Sequence, residues 1–148
     1  MKLWIDGDSC PRAALQAALE AQRGKVLQVE VIADRSIKEV KESGAVLTVI
    51  PGGTGAVDAK LIREVQPGDL VLTRDLRLGL GLMDKGATVL NDRGRVWTVK
   101  DLKLRLEEAE IMLAMINGGV ARNHRSSYTR EDARKFFESM KKLAGRNR

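Results

Sequence analysis

Cysteine is almost absent from these 148 residues: Cys10 is the only one, so no intramolecular disulfide can form and no cysteine-rich zinc cluster can be built. A reducing compartment, the cytoplasm, is the expected setting. Histidine is equally scarce, and His124 alone cannot support a histidine triad or a multi-histidine zinc site. Aromatic residues make up 3% of the chain, which leaves little material for extensive base stacking. No apolar run approaches the roughly 18 to 20 residues that span a bilayer. Met1 to Ile5 leads straight into Asp6, with no room for a signal-peptide hydrophobic region. Membrane insertion is therefore not expected.

What is present fits one α/β domain over residues 1–148. A hydrophobic content of 43% suffices for a single core without stapling. The formal charge of +6 is unevenly placed. Residues 1–91 carry 12 Lys/Arg against 12 Asp/Glu, residues 92–119 carry 5 against 5, and residues 120–148 carry 9 against 3. The whole excess thus sits in a basic carboxyl-terminal segment, which reads either as a footprint for a polyanion or as a solvated surface.

Short β-like runs alternate with helical patterns, the mark of βαβ units and a mainly parallel sheet. Strands are expected at Leu3 to Ile5, Val26 to Ala33, Ala45 to Ile50, Leu70 to Thr73 and Ala87 to Leu90, with Val96 to Thr98 as a short edge strand. Helices are expected after Pro11, over Ser36 to Glu42, Val57 to Val65 and Leu76 to Lys85, then from Leu102 to Asn117 and from Thr129 onward. The helix at 102–117 is expected to cover its own core in preference to pairing with a second copy, so a homo-oligomer is the lesser alternative. Pro51-Gly52-Gly53-Thr54-Gly55 is a loop, and it lacks the third glycine and distant acid of a dinucleotide cradle.

Asp6-Gly7-Asp8-Ser9 lies where the first strand emerges at its carboxyl end. Ligands of open α/β sheets bind beyond those ends, where the strand order reverses. With the order 3-2-1-4-5, Asp75 emerges beside Asp6, and Asp58 can face the same crevice. Carboxylates so gathered repel one another until a cation neutralises them, and hard oxygen ligands suit magnesium or manganese. Each acid also has a plain structural reading: Asp6 or Asp8 as a cap before Pro11, Asp58 as a first-turn acid, Asp75 as a turn residue. Asp34, Asp69, Asp84 and Asp101 are read as solvated turn or surface residues. Cys10 is read as a packing thiol, since no base accompanies it.

The sequence also resembles the bacterial YaiI/YqxD family of uncharacterised proteins, grouped by fold with the PIN-like nucleases. The likeness covers almost the whole chain. It is carried in order by Trp4 to Pro11, by Val57-Asp58 with Leu61-Ile62, by Gly68 to Asp75, by Lys85-Gly86-Ala87 with Leu90-Asn91, and by Arg93-Gly94 ahead of Trp97-Thr98. It implies a three-layer α/β/α domain with a five-stranded sheet, an acidic metal site at Asp6, Asp8, Asp58 and Asp75, and supporting hydroxyls at Ser9 and Thr73. For the wider superfamily it implies metal-dependent cleavage of nucleic acid. Two positions depart from the family pattern: Gly55 replaces a usual acid three residues before Asp58, and Gly7 replaces a usual alanine.

The expected function is hydrolysis of phosphodiester bonds in nucleic acid, RNA in the first place, with magnesium or manganese as cofactor. Asp6 and Asp75 would ligate one ion, and Asp8 and Asp58 would complete a second position or act through water. Arg74, Asn91, Arg93, Arg122 and Arg125 would hold phosphates. Two alternatives stand beside this. One is a haloacid-dehalogenase-like phosphatase using Asp6 and Asp8, which needs a later lysine and a further acidic pair. The other is a nucleic-acid- or partner-binding protein of the same fold without turnover.

Overall fold

A computed structural model describes residues 1–52, 55–118 and 127–146. The elements run β1 (Lys2–Asp6), α1 (Arg12–Arg23), β2 (Gln28–Ala33), α2 (Lys38–Ser43), β3 (Val46–Val49), α3 (Ala56–Glu64), β4 (Leu70–Leu72), α4 (Leu76–Asp84), β5 (Thr88–Leu90), α5 (Val99–Asn117) and α6 (Arg130–Arg146). The five strands form one sheet in the order β3-β2-β1-β4-β5, and every neighbouring pair is parallel. Strand order reverses between β1 and β4, as the sequence predicted.

Side chains alternate across a strand, and here that alternation divides the core in two. Leu3 and Ile5 of β1, Val29 and Val31 of β2 and Leu70 and Leu72 of β4 meet α1 and α6 on one face. Trp4, Ile32, Val71 and Val89 point the other way, onto α3, α4 and the start of α5. Burial on both faces explains why these strands read as unbroken apolar runs. The result is a three-layer α/β/α arrangement.

Several boundaries shift by a residue or two from the sequence expectation, and three of the differences have a visible cause or consequence. The second strand starts at Gln28 rather than Val26, because Val26 N donates to Ala21 O and Lys25 adopts a left-handed φ of 56°. Those residues finish the turn that caps α1. Val96 makes a single antiparallel bridge to Leu90 and no strand forms there. The long helix begins at Val99, where Thr98 Oγ1 accepts from Asp101 N. It covers its own core only at its start: Leu102 is buried, whereas Leu104, Ile111, Met112, Leu113 and Met115 are exposed. The final helix opens with the expected cap, Thr129 N donating to Asp132 Oδ2 and Asp132 N to Thr129 Oγ1. No helix of the described residues is long and apolar enough to cross a membrane.

Candidate functional site

The parallel pairing of β1 with β4 aligns Ile5 with Leu72, so Asp6 leaves one strand beside Thr73 leaving the other. Asp6 is buried and its carboxylate is well supplied with donors. Oδ1 accepts from Asp8 N at 3.2 Å, and Oδ2 accepts from Ser9 Oγ and from Thr73 Oγ1, each at 3.0 Å. Both hydroxyls in turn accept from the β4 end: Arg74 N donates to Ser9 Oγ and Asp75 N to Thr73 Oγ1. The two expected supporting hydroxyls therefore link Asp6 to the segment leaving β4, Thr73 to Asp75 itself and Ser9 to the neighbouring Arg74. On the other side, Gly7 permits a close approach to β2, since a Cβ there would lie 2.9 Å from the Cβ of Ala33.

Asp6, Asp8, Asp58 and Asp75 all line one pocket of about 390 Å³, together with Asp34, Ser9, Gly55 and Val57. Asp75 also caps α4, with Oδ1 accepting from Leu78 N at 3.0 Å. Asp8 Oδ1 accepts from Asp34 N at 2.9 Å. Among the described residues no donor reaches the carboxylate of Asp58, and only one oxygen each of Asp8 and Asp75 is engaged. Desolvation first, then the charges of Asp75, Asp6 and Asp8, push the Asp58 carboxyl above its ordinary value. Asp8 is raised in the same way, by desolvation first and also by the charges of Asp34 and Asp6.

These shifts have a definite sign. A carboxyl raised in the folded protein binds more protons there than in the unfolded chain, so stability falls as pH rises just above the ordinary value of 3.8 and stays reduced at neutrality. Asp58→Asn is thus expected to raise the melting temperature at pH 7 by about 2–4 °C, and by less near pH 4. Differential scanning fluorimetry at the two pH values measures this.

The pocket suits a hard cation by its donor set: carboxylate oxygens with open lone pairs and, among the described residues, no lysine or arginine in the lining. Among the described residues no three acidic, histidine or cysteine side chains form a ready enclosure for an ion. Magnesium does not demand one, because it keeps several waters and is commonly held by one or two carboxylates plus substrate phosphate.

One reading of an acid needs correction. Asp34 is solvent-exposed, as read, and it also lines the acidic pocket, brought there by the end of β2 next to β1. Asp69, also read as solvated, is buried and accepts from Lys2 N, Trp4 Nε1 and Gln66 N. Asp92 went unread because Asn-Asp-Arg-Gly looks like an ordinary turn; it is buried and pairs with Arg74. Cys10 is packed against the α1 side of the core, and burial pushes its thiol up to about 12, so it stays protonated. Arg93 pairs with Asp132 at 3.3 Å, and Asn91 Oδ1 accepts from Arg93 N and Arg95 N. Arg122 and Arg125 lie outside the described residues, as does His124.

Comparison with known proteins follows the same outline. The model of the uncharacterised bacterial YaiI/YqxD family matches residues 4–146. A UPF0178 protein of Psychrobacter cryohalolentis is 32% identical over 148 aligned positions, which cover 97% of this chain and 99% of the relative. A UPF0178 protein of Vibrio atlanticus is 27% identical over 143, covering 97% of each, and one of Desulfotalea psychrophila is 26% identical over the full length of both. No solved structure matches. With the family model spanning nearly every residue, the chain belongs to the YaiI/YqxD family.

Proposed function

We propose that this protein is a metal-dependent nuclease of PIN-like type that hydrolyses phosphodiester bonds, with RNA as the leading substrate. One observation carries the reading: four acids from three separate chain segments line a single solvent-reachable pocket at the strand-order reversal. Asp58, Asp75 and Asp8, with their open oxygens, would hold magnesium or manganese. Asp6 completes the set through the capacity that remains on Oδ1, its other lone pairs being held by Asp8 N, Ser9 and Thr73. A bound ion supplies positive charge against the negative charge that develops on the phosphodiester oxygens. Arg74 and Arg93, a short step along the β4 and β5 ends, hold flanking phosphates. Such contacts give affinity with strong salt dependence and little sequence selection. The phosphatase alternative has less support, because no lysine among the described residues lines the acidic pocket.

The test is cleavage of an end-labelled RNA oligonucleotide with magnesium or manganese, by wild type and by Asp75→Asn. Asparagine is as good an amino-terminal cap as aspartate, so α4 keeps its start while the charge is lost. Wild type is expected to cut, and the variant to fall to background with its melting temperature within about 2 °C of wild type. Binding without cutting by wild type, or equal cutting by both proteins, would overturn the proposal; the former result would point to the non-catalytic reading.

A further inference from the structure

A second cavity, of about 440 Å³, opens between α5 and the carboxyl ends of β4 and β5. It shares a wall with the acidic pocket. Of three consecutive residues, Arg74 and Leu76 line this groove while Asp75 lines the pocket of acids. Thr73, in the groove wall, donates to Asp6. Consecutive Cα atoms are about 3.8 Å apart, so the two cavities are neighbours on one chain turn.

The lining divides by chemistry. Leu76, Trp97 and Met112 give an apolar side, and Arg74, Arg93 and Arg105 give cationic tips. The arginines are anchored rather than spent. Arg74 meets Asp92 through Nε, and Arg93 meets Asp132 through Nε, which leaves the terminal nitrogens of these two forks for another partner, while Arg105 meets Glu108, an acid that also lines the groove, through one terminal nitrogen at 3.5 Å. Asp92 is itself buried, with a side chain 4% exposed against 46% for Arg74, so the groove sees mostly the cation. Pre-positioned forks lose less side-chain entropy when an anion arrives. Asn91 adds a donor, since its carbonyl is occupied by two backbone amides and its NH₂ group is left over.

We infer that this groove is a subsite for one unpaired nucleotide, its base against Leu76 and Met112 and its phosphate at Arg74 and Arg93. The inference rests on the nuclease reading, because it places that nucleotide next to the bond held at the acids. The volume fits one nucleotide, and a base can lie flat against Leu76 and Met112 only when it is out of a duplex stack. The chosen strand is therefore single, and α5 is the wall that excludes a duplex.

The test is binding, measured in EDTA so that no cleavage intervenes. Fluorescence anisotropy would follow a labelled eight-nucleotide RNA alone and the same RNA annealed to its complement. The single strand is expected to bind at least about tenfold tighter. Met112→Glu and Arg105→Glu, both at exposed positions of α5, are expected to weaken single-strand binding about tenfold with duplex binding and melting temperature unchanged. Equal affinity for the two forms, or no effect of either substitution, overturns the subsite. If the variants weaken binding while wild type cuts nothing with magnesium, the subsite stands and the nuclease reading falls. If wild type cuts and the variants cut and bind as well as it does, the nuclease reading stands and the subsite falls.

Discussion

Asp69→Ala is expected to cost the fold about 3–4 kcal/mol and to lower the melting temperature by roughly 10 °C, while the cleavage rate per folded molecule stays at the wild-type level. The carboxylate sits at the amino-terminal edge of β4, at the opposite end of the sheet from the acids. It accepts from Lys2 N at 3.1 Å, from Trp4 Nε1 at 2.9 Å and from Gln66 N at 3.0 Å. Alanine removes all three acceptor contacts at once. Trp4 is the worst affected, since its indole N–H is buried and has no other partner among the described residues. A buried donor left unmatched costs about 1–3 kcal/mol, and water can reach the two backbone donors only in part. Asp69→Asn, which keeps one acceptor oxygen, is expected to lose about half as much. Urea denaturation of the three proteins, with cleavage assayed at 20 °C, separates the stability effect from any effect at the site. Equal midpoints for wild type and Asp69→Ala would show that the carboxylate holds nothing together.

Asp69 is also where sequence reasoning failed most instructively. Pro67-Gly68-Asp69 has the composition of a turn, and a turn aspartate is ordinarily solvated. Nothing local says that Trp4, 65 positions earlier, needs an acceptor at that point. Asp92 went the same way, for its place comes from a parallel neighbour, β5 beside β4. By contrast, the strands and helices were legible because periodicity and turn residues are local signals. The order 3-2-1-4-5 entered as an assumed doubly wound arrangement, which the sheet bears out. Asp6 and Asp75 were legible because both follow strands on either side of the reversal. The α5 groove was not, since Met112 and Leu76 read only as apolar positions on separate helices.

Asp6→Asn tests how the four acids depend on one another. Cleavage is expected to fall by about 10²–10⁴-fold, in the range seen when a group acting directly on the reacting centre is lost. Thr73→Val should lose only about 10–100-fold, as for a residue that positions a ligand without touching the reaction. The difference follows from the hydrogen-bond directions. Thr73 Oγ1 donates to Asp6 Oδ2 and accepts from Asp75 N, so valine frees the start of α4, and Asp75 with it, to shift yet removes no carboxylate. Asparagine at position 6 instead removes a charge and takes away either the oxygen that Ser9 and Thr73 share or the one that accepts from Asp8 N, which costs about 1–2 kcal/mol. The two variants also part in their response to cations. Millimolar magnesium or manganese is expected to raise the melting temperature of wild type and of Thr73→Val, and to leave Asp6→Asn nearly unmoved. Single-turnover cleavage and metal-dependent melting curves supply both readouts. An Asp6→Asn protein that melts higher with added metal by as much as wild type would remove Asp6 from the cation site.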